Sequence, residues 1–157
     1  MGELLPQQHA IPRCFCCGPE NPSGLKLRFT KESGTSVSTT FTAPVDWTGW
    51  GRILHGGFQT LLLDETTSWA AFGALGERSF VTREIAVRFH RPVYVGEPLT
   101  VTGRITEDKG RAILAHGEIR NAAGELLTEA NAVLLRMDEQ AMRVATGAAQ
   151  PDPGRSA

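Results

Sequence analysis

The sequence predicts an α+β domain in which one long central helix is wrapped by a curved antiparallel sheet of about five to six strands. Three observations carry this reading. One stretch, from His55-Gly56-Gly57 to Leu75, has helical length and spacing and contains no proline. The segments after it alternate apolar and polar residues with a period of two, between short turns rich in Gly, Asn and Asp. The order is two strands, the helix, then four strands, so the apolar helix face must be buried against an antiparallel sheet. The outer edge of that sheet stays open, and pairing with a second copy is a natural remedy.

Each element follows from local pattern. Residues 1–24 hold Pro6, Pro12, Pro19 and Pro22 and read as an irregular arm. The domain proper spans residues 25–137. Leu25, Leu27 and Phe29 alternate with Lys26, Arg28 and Thr30, giving a first strand, and Val37 to Phe41 gives a second across the turn Glu32-Ser33-Gly34. A Trp- and Gly-rich loop, Asp46 to Gly51, leads to the helix. At 100° per residue, Phe58, Leu61, Leu62, Trp69 and Phe72 share one face, with Glu65 inside that stripe. Gly76 suits a left-handed helix end. Phe80 to Val93 alternates through Ile85, Val87 and Phe89. Pro98 to Ile105, Ala112 to Arg120 and Glu125 to Met137 complete the sheet, joined by the turns Glu107-Asp108-Lys109-Gly110 and Asn121-Ala122-Ala123-Gly124. Residues 138–157 lose periodicity and are expected to form a largely disordered tail.

Length and charge narrow the function. A chain of 157 residues fits one domain and can bury about two-thirds of its surface without a disulfide or metal. Sixteen basic against 17 acidic residues leave a formal charge of −1, unlike the basic footprint of a nucleic-acid binder. No apolar run approaches the roughly 18 residues of a membrane span, and Met1 to Pro6 lacks a basic segment followed by an apolar one. A cytoplasmic domain without membrane or nucleic-acid partners is expected. Three thiols in Cys14-Phe15-Cys16-Cys17 make a poor disulfide framework and agree with a reducing compartment. Cys14-x-x-Cys17 is half of a zinc ribbon, but no second pair follows, and further ligands would have to come from His9 or a second subunit. The thiols therefore read as small buried residues or incidental thiols, and no metal is expected.

The segment richest in chemistry is Gly49 to Gly57 together with Leu63-Asp64-Glu65. Two glycines at a helix start let a ligand approach backbone amides that the helix dipole makes electropositive. Such a site suits a carbonyl oxygen that gains negative charge during acyl transfer. Asp64 shares a small, polar flank with Thr60, Thr67, Ser68 and Ala71, where it can serve as general base or nucleophile. Spacing alone is equally satisfied by a tight entry turn and a solvated carboxylate. Glu65, inside the apolar stripe, needs a partner to be buried, and a structural role is expected for it.

These pieces together resemble the hotdog-fold acyl-CoA thioesterases of the PaaI type: His55-Gly56-Gly57, Asp64 nine residues after His55, and Thr82 followed by Arg91-Pro92. The arm, Cys14-x-x-Cys17-Gly18 with Asn21-Pro22-x-Gly24-Leu25-x-Leu27-x-Phe29, is similar to one bacterial branch of that family. The resemblance covers about residues 14–137. It implies hydrolysis of an acyl-CoA to free acid and CoA, with no cofactor beyond the coenzyme A of the substrate. It further implies that the Gly57 amide polarises the thioester carbonyl, with Gly56 and His55 shaping the turn. Asp64 would activate water or attack, Ser68 would orient water, and Thr82 would assist, although strand parity puts Thr82 opposite the face of Ile85, Val87 and Phe89. The family's site lies between subunits, implying a homodimer or homotetramer in which Asp64 of one chain faces Gly57 of another. The phosphates of CoA require cations; Arg88, His90 and Arg91 at one strand end and the turn Lys109-Gly110-Arg111 are the candidates. Trp50, with Trp47, could wall an acyl pocket or anchor the loop. His116 and His9 read as ordinary surface or packed histidines. Two other readings share the fold: a hydratase or dehydratase acting on enoyl-CoA, and an acyl-CoA-binding module without catalysis.

Overall fold

Glycines at two sheet positions decide how closely the central helix can lie on the sheet. In the computed structural model, described for residues 2–7, 11–77 and 79–147, helix α1 (Gly56–Leu75) crosses a seven-stranded antiparallel sheet. The strands are β1 (Glu3–Leu4), β2 (Thr30–Lys31), β3 (Ser36–Thr42), β6 (Phe80–Phe89), β7 (Pro98–Asp108), β8 (Ala112–Asn121) and β9 (Leu126–Arg136), in the order β1-β2-β3-β7-β8-β9-β6. A β-carbon on Gly103 of β7 would stand 2.6 Å from the Thr66 carbonyl oxygen of the helix, and one on Gly117 of β8 3.0 Å from a Leu63 methyl. At Gly103 only glycine permits this approach, and at Gly117 any side chain would press on the Leu63 and Thr67 methyls. The helix answers with Leu62, Leu63, Thr66, Thr67, Ala70 and Ala71, all buried. The two threonine hydroxyls are satisfied within the helix, donating to the carbonyls of Leu62 at 2.6 Å and Asp64 at 3.0 Å.

The buried face coincides only in part with the stripe read from the helical wheel: Leu62 and Trp69 are buried. Phe58, Leu61 and Phe72 are only half-buried. Helix α1 is apolar on two sides, so one wheel projection does not select the sheet-facing one. Its second side is covered by the arm and the loop: Phe29 stacks on Trp69 with ring centroids 4.8 Å apart, and Trp47 stacks on Phe58 at 4.0 Å.

The first expected strand is also corrected. Leu27 and Phe29 are buried as the alternation requires, but only Thr30–Lys31 pairs as a strand. Lys26 adopts φ 57°, breaking the extended run, and the backbone turns instead to the cysteine loop: Leu25 N–H donates to Phe15 O and Leu27 N–H to Cys16 O. The Lys26 ammonium caps the carbonyls of Gly18, Pro19 and Asn21. The arm is thus docked, with Leu5, Cys16 and Cys17 in the core, and β1 pairs with β2.

The loop before the helix folds into a two-stranded ribbon, β4 (Thr48–Trp50) with β5 (Ile53–Leu54). Its backbone is fixed by His55 N–H to Trp47 O at 3.0 Å and Leu54 N–H to Val93 O at 2.7 Å. The tail holds a short helix, α2 (Glu139–Thr146), in place of the expected disorder. Asp138 caps it by accepting from the Ala141 amide at 2.7 Å, and Gly147 ends it at φ 67°. Residues 148–157 lie outside the described residues. Among the described residues, no helix is long and apolar enough to cross a membrane.

Candidate active site

The start of α1 is built by His55. As the N-cap it leaves helical geometry, and its Nδ1 accepts a hydrogen bond from the Gly57 amide at 2.9 Å. The donor expected to polarise a substrate carbonyl is therefore already engaged. The Phe58 and Gln59 amides both donate to His55 O. Among the described residues nothing accepts from the Gly56 amide, so the free donor at this helix end is Gly56 rather than Gly57. His55 selects it by capping the next residue.

Gly56 opens on a cleft of about 730 Å³ lined by Trp50, His55, Gln59, Phe89, His90 and Arg91 among others. Gln59 is a buried polar residue that sequence reasoning passes over. Its amide donates to Leu54 O at 2.9 Å, and its carbonyl accepts from the Thr128 hydroxyl at 2.6 Å. This ties the helix start to β5 and β9; a lone glutamine amid apolar helix positions is the signal that could have marked it. Trp50 is 84% exposed at the cleft rim, whereas Trp47 is packed between Phe58 and Phe41 and anchors the loop.

Asp64 lies two turns further along, half-buried, and accepts from the Thr82 hydroxyl on β6 at 2.7 Å. Simple alternation turns Thr82 away, but β6 carries a bulge between Thr82 and Glu84. The extra residue, Arg83, resets the phase, so Phe80 and Thr82 join Ile85 and Val87 on the helix side. Ser68, one turn beyond Asp64, lines a separate cavity of about 230 Å³ together with Cys14, Cys17, Glu65 and Trp69.

Glu65 occupies the other flank of the helix. Its Oε1 accepts from Trp69 Nε1 at 2.9 Å and lies 4.0 Å from Cys14 Sγ. Burial pushes its pKa above the usual carboxylate range, against the opposing hydrogen bonds from Cys17 and Trp69. Hydrogen bonds from the Cys16 and Cys17 thiols lower the Cys14 pKa, and the same bonds, with burial, raise those of Cys16 and Cys17.

The basic candidates are not brought to one place within a chain. His90 and Arg91 line the cleft. His90 pairs with Glu129 at 3.0 Å and Arg91 with Glu125 at 3.9 Å, while Arg88 meets Glu129 at 3.6 Å. The Lys109-Gly110-Arg111 turn stands at the opposite end of the helix, beside Arg136 and its partner Glu77, because β7 runs away from the cleft. Lys109 pairs there with Glu107 at 3.3 Å. His116 hydrogen-bonds Asn131 at 2.9 Å on the sheet's outer side; His9 lies outside the described residues.

Known proteins share this fold. The family model described as "Thioesterase superfamily" matches residues 51–128, from the loop before α1 into β9. SSO2140 of Saccharolobus solfataricus, named as an esterase, is 31% identical over 81 residues, covering 52% of this chain and 57% of that protein. The chain thus spans little more than half the length of that curated relative. The crystal structure of RHA08564, a thioesterase superfamily protein, is 31% identical with a TM-score of 0.71, covering 78% of this chain and 60% of that one. A hypothetical thioesterase of Streptococcus pneumoniae TIGR4, solved with coenzyme A, shares the fold at 17% identity, TM-score 0.65, covering 71% of this chain and 85% of that one. One long helix packed on a large antiparallel sheet agrees with these matches: the chain belongs to the thioesterase superfamily and has the hotdog fold.

Proposed function

We propose that this protein hydrolyses acyl-CoA thioesters to the free acid and CoA, at sites that two copies of the chain complete together. The observation that carries the reading is the Asp64 carboxylate, held by Thr82 at 2.7 Å on a half-buried helix flank. That bond engages Oδ1. The second oxygen is left to take a proton from attacking water or to attack the carbonyl itself.

Eight residues of helix, about 12 Å, separate Gly56 from Asp64. One carbonyl carbon cannot lie within reach of both in the same chain. Each chain therefore offers two halves of different sites, and a two-fold partner would unite them. Strand β6, which carries Thr82, ends the sheet order, with one side unpaired among the described residues; this edge supports pairing with a second copy.

In the completed site, the Gly56 amide and the helix dipole stabilise the oxyanion formed when water adds to the thioester carbon. Asp64 of the second copy accepts the proton of that water. Collapse of the tetrahedral intermediate breaks the carbon–sulfur bond, and the CoA thiolate leaves and is protonated. The cleft beside Gly56 suits the CoA arm, because the exposed Arg91–Glu125 pair is weak enough to yield to a phosphate. Coenzyme A in the pneumococcal structural relative is consistent with this substrate class.

The test is free-thiol release from a panel of aromatic, short-chain and medium-chain acyl-CoAs, with wild type and Asp64→Ala side by side. Release by wild type that the variant largely loses supports the proposal. Equal release from both moves the chemistry away from Asp64, and conversion of an enoyl-CoA without thiol release would replace hydrolysis by hydration.

A further inference from the structure

The cavity on the other flank of α1 has no part in this chemistry, yet three metal-ligating groups converge there. Cys14 and Cys17 come from the docked arm and Glu65 from the helix, and one ligand atom of each lies within 4.8 Å of the other two. Four donors at zinc–sulfur distance stand about 3.8 Å apart around a tetrahedral ion; Cys14 Sγ and Glu65 Oε1 are 4.0 Å apart. The sequence offered only the two thiols, because the third donor is 48 positions beyond Cys17 and on another element.

The surroundings are those of a built site. The Cys14-x-x-Cys17 turn is held by Gly18 N–H to Cys14 O at 3.0 Å and Cys14 N–H to Ile11 O at 2.9 Å. A β-carbon on Gly18 would lie 2.5 Å from both the Cys14 nitrogen and oxygen, so the turn closes tightly around glycine. Trp69 Nε1 donates to Glu65 Oε1 at 2.9 Å and fixes the carboxylate, as an outer-shell donor does for a metal-bound carboxylate. Among the described residues no cationic side chain pairs with the half-buried Glu65, and withdrawing a carboxylate from water beside thiols is costly without a cation.

We propose that Cys14, Cys17 and Glu65 bind one zinc ion, which clips the arm to helix α1 and keeps a fourth position open to the cavity of about 230 Å³ that Ser68 and Phe72 also line. Sulfur ligands select a thiophilic cation over calcium or magnesium. Binding converts both thiols to thiolates and releases their protons to solvent. The clip is independent of thioester hydrolysis, since neither Asp64 nor Gly56 takes part.

The test is metal analysis of the full chain purified under reducing conditions, followed by substitution with cobalt(II). The expected result is one zinc per chain and, with cobalt, intense tetrahedral bands with a sulfur charge-transfer band of two thiolates. Cys14→Ser and Glu65→Gln should each weaken cobalt binding by at least the roughly 10–100-fold that loss of an outer-shell partner costs. Wild type that arrives metal-free and takes up neither zinc nor cobalt overturns the proposal, whatever the variants do. So do cobalt bands of equal strength in both variants, or a Cys14–Cys17 disulfide in freshly isolated reduced protein.

Discussion

Helix α1 offers neighbouring carboxylates to two different surroundings. Asp64 turns toward β6, where one hydroxyl holds it on a half-buried flank. Glu65, one residue on, turns toward the arm, where an indole N–H and thiols enclose it. The first is restrained on one oxygen and reachable; the second is surrounded and desolvated. An acid that must meet water and a changing substrate needs a free lone pair, whereas an acid that fixes structure needs all its partners supplied.

The comparison breaks first at Asp64. Asp64→Asn should lower kcat/KM for thiol release by about 10²–10⁴-fold, the usual worth of a positioned base, with little change in thermal midpoint. Should Glu65→Gln show the larger loss instead, the two flanks have been assigned the wrong way round. Next in size is a change that moves both flanks together. Gly103→Ala puts a methyl 2.6 Å from the Thr66 carbonyl; overpacking of this kind should cost about 1–3 kcal/mol, read as a lower unfolding midpoint in denaturant.

A finer cut separates support from chemistry. Thr82→Val removes the hydroxyl that orients Asp64, a bond worth about 1 kcal/mol, so kcat should fall about fivefold while Thr82→Ser restores it. Unchanged turnover in the valine variant would show that Asp64 needs no such restraint. The smallest effect is in pH dependence. Burial raises the folded-state pKa of Glu65 above its unfolded value. Its contribution to stability is therefore complete below the ordinary carboxylate range and is lost as pH rises through the folded value. In chelator-treated, reduced protein, wild type should lose stability over that interval relative to Glu65→Gln; parallel curves would mean that Glu65 ionises freely.

Much of the fold and part of the site are legible in the residue pattern. Length, one proline-free helical stretch and period-two strands define a helix on an antiparallel sheet, because those patterns are set by local geometry. The spacing of His55, the glycines and Asp64 marks the helix start and its acid. What the pattern hides is tertiary. A bulge of one residue reverses the parity that turns Thr82 outward in a regular strand. An imidazole lone pair claims the Gly57 amide and leaves Gly56 as the donor. Leu25 to Phe29 alternates like a strand, yet Lys26 leaves the extended region to cap three carbonyls. The face of α1 that meets the sheet is chosen by Gly103 and Gly117, which carry no hydropathy signal of their own.

The two ends of α1 are fastened by different forces. At the entrance, Trp47 and Phe58 stack with centroids 4.0 Å apart. At the exit a single guanidinium gathers three segments: Arg136 of β9 bonds Glu77 just past the helix at 2.6 Å, Asp108 at the end of β7 at 2.7 Å, and the Gly110 carbonyl of the hairpin. Mobile ions screen the second fastening and leave the first alone, since dispersion and apolar contact carry no net charge. Rising salt therefore weakens the fastening at the exit more than the aromatic stack at the entrance. Fraying begins at the exit, on the arm's side of the fold, while the stacked Trp47 and Phe58 hold the helix entrance.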